Sequence, residues 1–196
     1  MNKSFFSVRD ITFSAMFIAL MAIGANIVSW IPFLTIGSVP LTLQPFFAVL
    51  AGLLLGRRVA FISMVGYLLV GLAGAPVFAG FSSGPAALIG PTGGFIFSFP
   101  IAAFLAGWYL QNKQQPNYIH FLIAATIGII SIYLIGTNYM YMILSTKMNY
   151  ATAWIGMAPF ALKDVVFTFI AASISPSIYK AINPMVSKQR NSNKSA

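Results

Sequence analysis

Six stretches of the chain are almost unbroken in apolar residues, at 11–31, 39–55, 59–75, 93–111, 119–144 and 155–180, and polar positions gather between them. A bilayer-crossing helix needs about 20 apolar residues, with a range of roughly 17–25. The pattern predicts an all-α integral membrane protein, a single bundle of six transmembrane helices. The second and third stretches are short, with only "GRRV" at their join, which predicts a tight helical hairpin. Pro100 and Pro176 fall inside the fourth and sixth stretches, where a proline can kink a helix. The first stretch lacks the small-residue cleavage site of a secretory signal and more spans follow it, so it reads as a helix that stays.

Composition agrees. The 196 residues are 59% hydrophobic and 7% charged, with a mean hydropathy of +0.86, against roughly 25% charged in a soluble domain. There is no cysteine, which excludes disulfides and thiolate metal sites. One histidine, Asp10, Asp164 and no glutamate leave little for metal binding or acid–base work, so neither a metal site nor a catalytic residue is predicted. His120 stands alone at the start of the fifth span and reads as interfacial. The net charge of +9 is explained by topology. With both termini cytoplasmic, Lys3, Arg9, Arg57, Arg58, Lys113, Lys180, Lys188, Arg190 and Lys194 all fall inside, nine of the eleven basic residues. Lys147 falls outside and Lys163 inside the last span. Anionic lipid gains some attraction from this charge, and nucleic acid is not expected as a partner. Residues 1–186 form the transmembrane domain, and the polar tail 187–196 is expected to be disordered.

Polar groups in a bilayer need partners or a function, and most of them sit in the half expected to face outside. Thr42 and Gln44 open the second span. Thr137, Asn138 and Tyr141 lie near the outer end of the fifth, with Asn138 and Tyr141 sharing a face. Lys163 and Asp164 stand a turn or so into the sixth. Neighbours on a helix point about 100° apart, so these two are not expected to satisfy one another fully. The helix N-terminus would favour the carboxylate. Two readings stay open: a snorkelling lysine beside a capped aspartate, or a ligand contact at the same level as Gln44 and Asn138. The outer loop 75–93 adds Phe78 and Ser83, then the stretch "ALIGPTGGF" with Thr92 and Gly93. The P-loop pattern G-x-x-x-x-G-K-[ST] is absent, so a structural turn and a pocket wall both remain open. On the first span, Ala15 and Ala19 begin a stripe of small residues suited to close helix packing, inside the bundle or against a partner. No nucleophile–base arrangement and no ring of charges is visible. Binding of a small, mostly uncharged solute from outside fits best.

The segments "VPLTLQPFFAVLAGLLLG" and "YLLVGLAGAPVFAGFSSGPAALIGPTGGFIFSF", followed by a proline–aspartate segment opening the last span, resemble the BioY family, the biotin-specific S components of energy-coupling factor transporters. The resemblance runs from the first span to the sixth. It implies a multi-pass cell-membrane protein that binds biotin under its external loops. It also implies a transmembrane T component and two cytoplasmic ATPases as partners, with no cofactor beyond the ligand. Ala15 and Ala19 match the Ala-x-x-x-Ala pattern by which S components contact the T component. Within the implied site Asp164 accepts from a ureido N–H, Gln44 or Asn138 serves either side of the ureido group, and Phe78 or Tyr141 covers the apolar ring. A lysine pairs with the carboxylate or donates to the ureido carbonyl. One departure stands out: many family members carry lysine three residues after the aspartate, where this chain has Phe167. Lys163 precedes the aspartate instead and is expected to point from a different helix face. An S component for another vitamin, or a small membrane enzyme or assembly protein, are the other readings.

Overall fold

The computed structural model describes residues 7–30, 35–36 and 39–192, the side chains of Trp30, Ile36, Val39 and 183–192 excepted. Helix α1 (Val8–Asn26) runs into a 3-10 turn at Ile27–Trp30, and β1 (Thr35–Ile36) and β2 (Val39–Pro40) form a two-residue antiparallel ladder. Then come α2 (Gln44–Leu72), a 3-10 turn at Ala79–Phe81, the short α3 (Pro85–Ile89), α4 (Gly93–Gln111), α5 (Tyr118–Leu144) and α6 (Tyr150–Ser192). Five of the described helices, α1, α2, α4, α5 and α6, are long and apolar enough to cross a membrane. Two begin at reciprocal caps. Ser7 and Asp10 close the start of α1, and Asn117 and His120 close the start of α5, so His120 satisfies backbone donors that the helix leaves free.

The second helix is two passes in one element. The Gln44 amide lies 2.7 Å from the Tyr67 hydroxyl, 23 residues along the chain. A continuous helix would hold those residues about 35 Å apart. The chain therefore reverses between them, at Gly56, whose φ of 74° and ψ of 167° are open to glycine alone. A Cβ there would also collide with the Gln111 side chain. The expected hairpin is present, turned at the glycine of "GRRV". Its first arm, 44–55, is about 18 Å long, well short of a hydrocarbon core of about 30 Å. Residues 39–43, expected to be helical, instead form β2 and a non-helical turn. Non-helical backbone at this depth needs partners within the protein, and it has them. The Leu43 N–H donates to the Gly24 carbonyl at 2.8 Å and the Thr42 N–H to Pro40 at 2.9 Å.

The passes alternate in direction. One end of the bundle holds Gly56 beside Gln111, and the Arg9 guanidinium on the Ile182 carbonyl at 3.3 Å. The other end gathers Asn26, Gln44, Tyr67 and the Tyr139 hydroxyl, which donates to the Leu88 carbonyl at 3.0 Å. Between the ends, Phe17, Met21, Leu53, Met64, Phe99, Phe121 and Ile132 fill the core, and α4 packs chiefly against α2 and α5. Small residues set that packing. A Cβ on Gly52 would stand 2.5 Å from the Ala103 carbonyl oxygen, so this glycine lets α2 and α4 approach backbone to backbone. Helix α6 extends to Ser192, into the segment expected to be a tail, and 193–196 lie outside the described residues.

Gly56→Ala is expected to cost more than about 1 kcal/mol and to lower the melting temperature in detergent. Melting unchanged from the parent protein would mean that the reversal does not depend on this glycine.

Candidate functional site

A cavity of about 220 Å³ opens at the end of the bundle that carries α3. Its position follows from the short first arm of α2, which leaves the space above Gln44 to be walled by non-helical chain and neighbouring helices. Pro40, Thr42, Gln44 and Pro45 form one side, and Phe78, Ala79 and Ser82 the cover. Thr92, Phe95, Ile96 and Phe99 come from the start of α4, Tyr133 from α5, and Met157, Phe160, Lys163 and Asp164 from α6.

The polar centre is Asp164, 2% exposed. The Tyr133 hydroxyl donates to its Oδ2 at 2.7 Å and the Lys163 ammonium stands 2.8 Å from its Oδ1. Lys163 also donates to the Thr42 carbonyl, so one side chain neutralises the carboxylate and caps the non-helical backbone before α2. Lys163 and Asp164 form an ion pair, yet Asp164 Oδ1 is buried without a hydrogen-bond partner, so these helix neighbours do not fully satisfy one another. Two expectations are corrected here. First, Asp164 is not near a helix N-terminus. Helix α6 begins at Tyr150, about 21 Å earlier, beyond the reach of the dipole, which fades within a turn. Second, Lys163 shares a face with position 167, since the two are four residues apart. Its ammonium stands 5.9 Å from the centre of the Phe167 ring, which meets Phe46 edge-on at 5.5 Å.

A second polar group lines the same cavity. The Gln44 amide donates to the Tyr67 hydroxyl, which donates to the Val77 carbonyl at 2.8 Å. Val77 leads into Phe78, a fully buried ring that meets Tyr67 edge-on at 5.5 Å and occupies the space a Cβ on Gly71 would need. The cover is fastened elsewhere too. The Phe81 N–H donates to Asn26 Oδ1 at 2.6 Å, the Phe78 N–H to the Ser82 carbonyl at 3.1 Å and the Gly84 N–H to the Gly71 carbonyl at 2.8 Å.

Of the candidates named from the sequence, Thr42, Gln44, Phe78, Thr92, Lys163 and Asp164 meet at this cavity. Ser83 does not line it; its neighbour Ser82 does. Gly93 is buried behind the wall, where its lack of a Cβ lets the Leu88 carbonyl sit against it, and its N–H is taken by Gly90 at 2.9 Å. Asn138 and Tyr141 lie away from the cavity, turned to the first turn of α6. The Tyr150 hydroxyl donates to Asn138 at 3.3 Å, and the Tyr150 ring meets Tyr141 edge-on at 5.2 Å. Ala15 and Ala19 are exposed on α1. Tyr133 was missed, together with the shell of Phe95, Phe99, Met157 and Phe160. A hydroxyl in the middle of "SIYLIG" was the available signal, since a polar group at mid-span requires a partner. Among the described residues no group of three histidines or acids could hold a metal ion.

Residues 1–184 match the model of the BioY family. The "Putative biotin transporter BioYB" of Bacillus subtilis (strain 168) is 50% identical over 186 residues, 93% of either chain. The "Probable biotin transporter BioY" of Pyrococcus horikoshii is 41% identical over 168 residues, 85% of this chain and 94% of the relative. Among solved structures, the S-component for biotin from an ECF-type ABC transporter, a crystal structure at 2.1 Å, is similar with a TM-score of 0.76 at 26% identity, over 88% of this chain and 92% of that one.

The shared lysine predicts a non-additive double-mutant cycle. Lys163→Met is expected to cost about 3–5 kcal/mol, because it leaves a buried carboxylate without its counter-charge. Asp164→Asn costs less, since the lysine keeps Thr42. The double variant falls short of the sum by about 1 kcal/mol or more. Losses that simply add, in denaturation of the purified variants, would show that the two side chains are not coupled.

Proposed function

The chain belongs to the BioY family, and we propose that it captures biotin in the cavity between Gln44, Phe78, Tyr133 and Asp164. It is a multi-pass membrane transport protein for biotin, not an enzyme. The observation that carries the reading of the site is its surplus of acceptors in an aromatic shell. Tyr133 donates to Asp164 and the Lys163 ammonium pairs with it, while Asp164 Oδ1 has no hydrogen-bond partner, and Phe78, Phe95, Phe99 and Phe160 line the same cavity. Biotin offers the complement: a ureido group with two N–H donors and one carbonyl, an apolar thioether ring, and a carboxylate tail.

In this reading Asp164 accepts one ureido N–H, and Lys163 gives its remaining proton to the ureido carbonyl. The thioether ring lies under Phe78, and Thr92, exposed at the mouth, donates to the carboxylate tail. Both termini face the cytoplasm, which puts Arg9, Arg57, Arg58, Lys113 and Lys180 on the inner side and opens the cavity outward. Energy comes from a T component and two ATPases on the cytoplasmic side. The exposed Ala15 and Ala19 face of α1 receives the T component, because small residues allow a second helix to approach closely.

Calorimetric titration of biotin into detergent-purified protein tests this. Affinity near nanomolar is expected, about −12 kcal/mol, with no heat from other vitamins. Asp164→Asn and Lys163→Met are each expected to weaken binding by about 10- to 100-fold, the worth of one hydrogen bond to a charged group. Unchanged affinity in both variants would remove these residues from the site.

A further inference from the structure

The chain of hydrogen bonds from Val77 to Gln44 has a fixed direction. A backbone carbonyl can only accept, and Tyr67 carries one hydroxyl proton, so that proton is committed to Val77, 2.8 Å away. The Tyr67 oxygen is then left to accept. Gln44, 2.7 Å away, has to meet it with its NH2 group. The amide is planar, with its carbonyl oxygen at the opposite end from that bond, and Gln44 lines the cavity. Tyr67 does not. It is fully buried behind Gln44 and Phe78.

We infer that Tyr67 is a positioning residue that sets the polarity of this wall: it holds Gln44 as an acceptor, so that the cavity selects a ligand with a second N–H donor besides the one read by Asp164. The inference rests on the biotin reading above and adds to it a residue that never touches the ligand. It also ties selection to the cover. Val77 directly precedes Phe78, so the tyrosine proton is committed only while this segment is docked. With the segment lifted, the proton is free, and the Gln44 amide can turn either end to the cavity. The acceptor polarity therefore belongs to the closed arrangement.

Tyr67→Phe removes the hydroxyl and keeps the ring against Phe78. The probes are biotin and its two cyclic carbamate analogues, in each of which one ureido N–H is replaced by an oxygen of similar size. The parent protein is expected to reject both analogues, since each sets an acceptor against an acceptor. In Tyr67→Phe, biotin affinity falls by about tenfold and the penalty against one analogue, the one facing Gln44, shrinks by about tenfold, because the released amide can turn its NH2 to the ring oxygen. The penalty against the other analogue stays as in the parent. Both penalties unchanged in Tyr67→Phe would overturn the inference and leave the tyrosine a packing residue. If that variant is not recovered folded, Gln44→Met is used, which leaves the Tyr67–Val77 bond in place and removes the oriented acceptor. It is expected to lose the same penalty, and retention of it overturns the inference. A parent protein that binds no biotin at all overturns the biotin reading and this inference together. Biotin binding with unaltered penalties overturns only the role of Tyr67.

Discussion

A carboxylate in the apolar part of a membrane bundle must be neutralised where it stands, and the geometry around Asp164 follows from that requirement. A charged residue at mid-span costs about 2.5–3.5 kcal/mol on insertion scales, so an aspartate and a lysine are tolerated together only if each serves the other. Lys163 does more than pair. Its ammonium bridges Asp164 to the Thr42 carbonyl, and so joins α6 to the non-helical chain that enters α2. Without that bridge the carbonyl would lack its lysine donor at a depth with little water, a condition membrane proteins avoid. The pair thus holds the site's charge and its backbone in register by one contact.

The cavity exists because the first arm of α2 is too short to fill its pass. Gly56 turns the chain early, 44–55 ends low in the bundle, and the non-helical segment 40–43 descends to meet it. The space left above Gln44 is closed by a cover fastened at Asn26 on α1 and at Tyr67 and Gly71, about one turn apart on α2. Rigid helices thereby carry the polar groups, and a loop carries the aromatic ring that closes over them. This division suits a protein that must admit a ligand and then hold it away from water.

Much of this was legible in the sequence, and the boundary of legibility is physical. Apolar runs of bilayer length mark the passes because lipid allows few alternatives, and the short "GRRV" join between the second and third announced the hairpin. Thr42, Gln44, Thr92, Lys163 and Asp164 stood out because polar groups are scarce in such a chain. Side-chain direction was harder to read. Asn138 and Tyr141 carry the right chemistry at the right height, but α6 begins at Tyr150 rather than 155, and its added first turn takes them as neighbours. Asp164 lies in the helix interior, fourteen residues past the Tyr150 start and already nine past 155. Tyr67 and Tyr133 look like ordinary aromatic residues in apolar runs, and their hydroxyls gain meaning only from partners distant in the chain.

The central claim is that the ureido group of biotin is read by the buried pair on α6. A structure of the protein with biotin bound tests it most directly. The account predicts the ureido ring beneath Phe78, with one nitrogen within about 2.6–3.2 Å of an Asp164 oxygen. Biotin bound with its ureido ring at the mouth beside Thr92 and its tail toward Asp164, or bound outside this cavity, would contradict it.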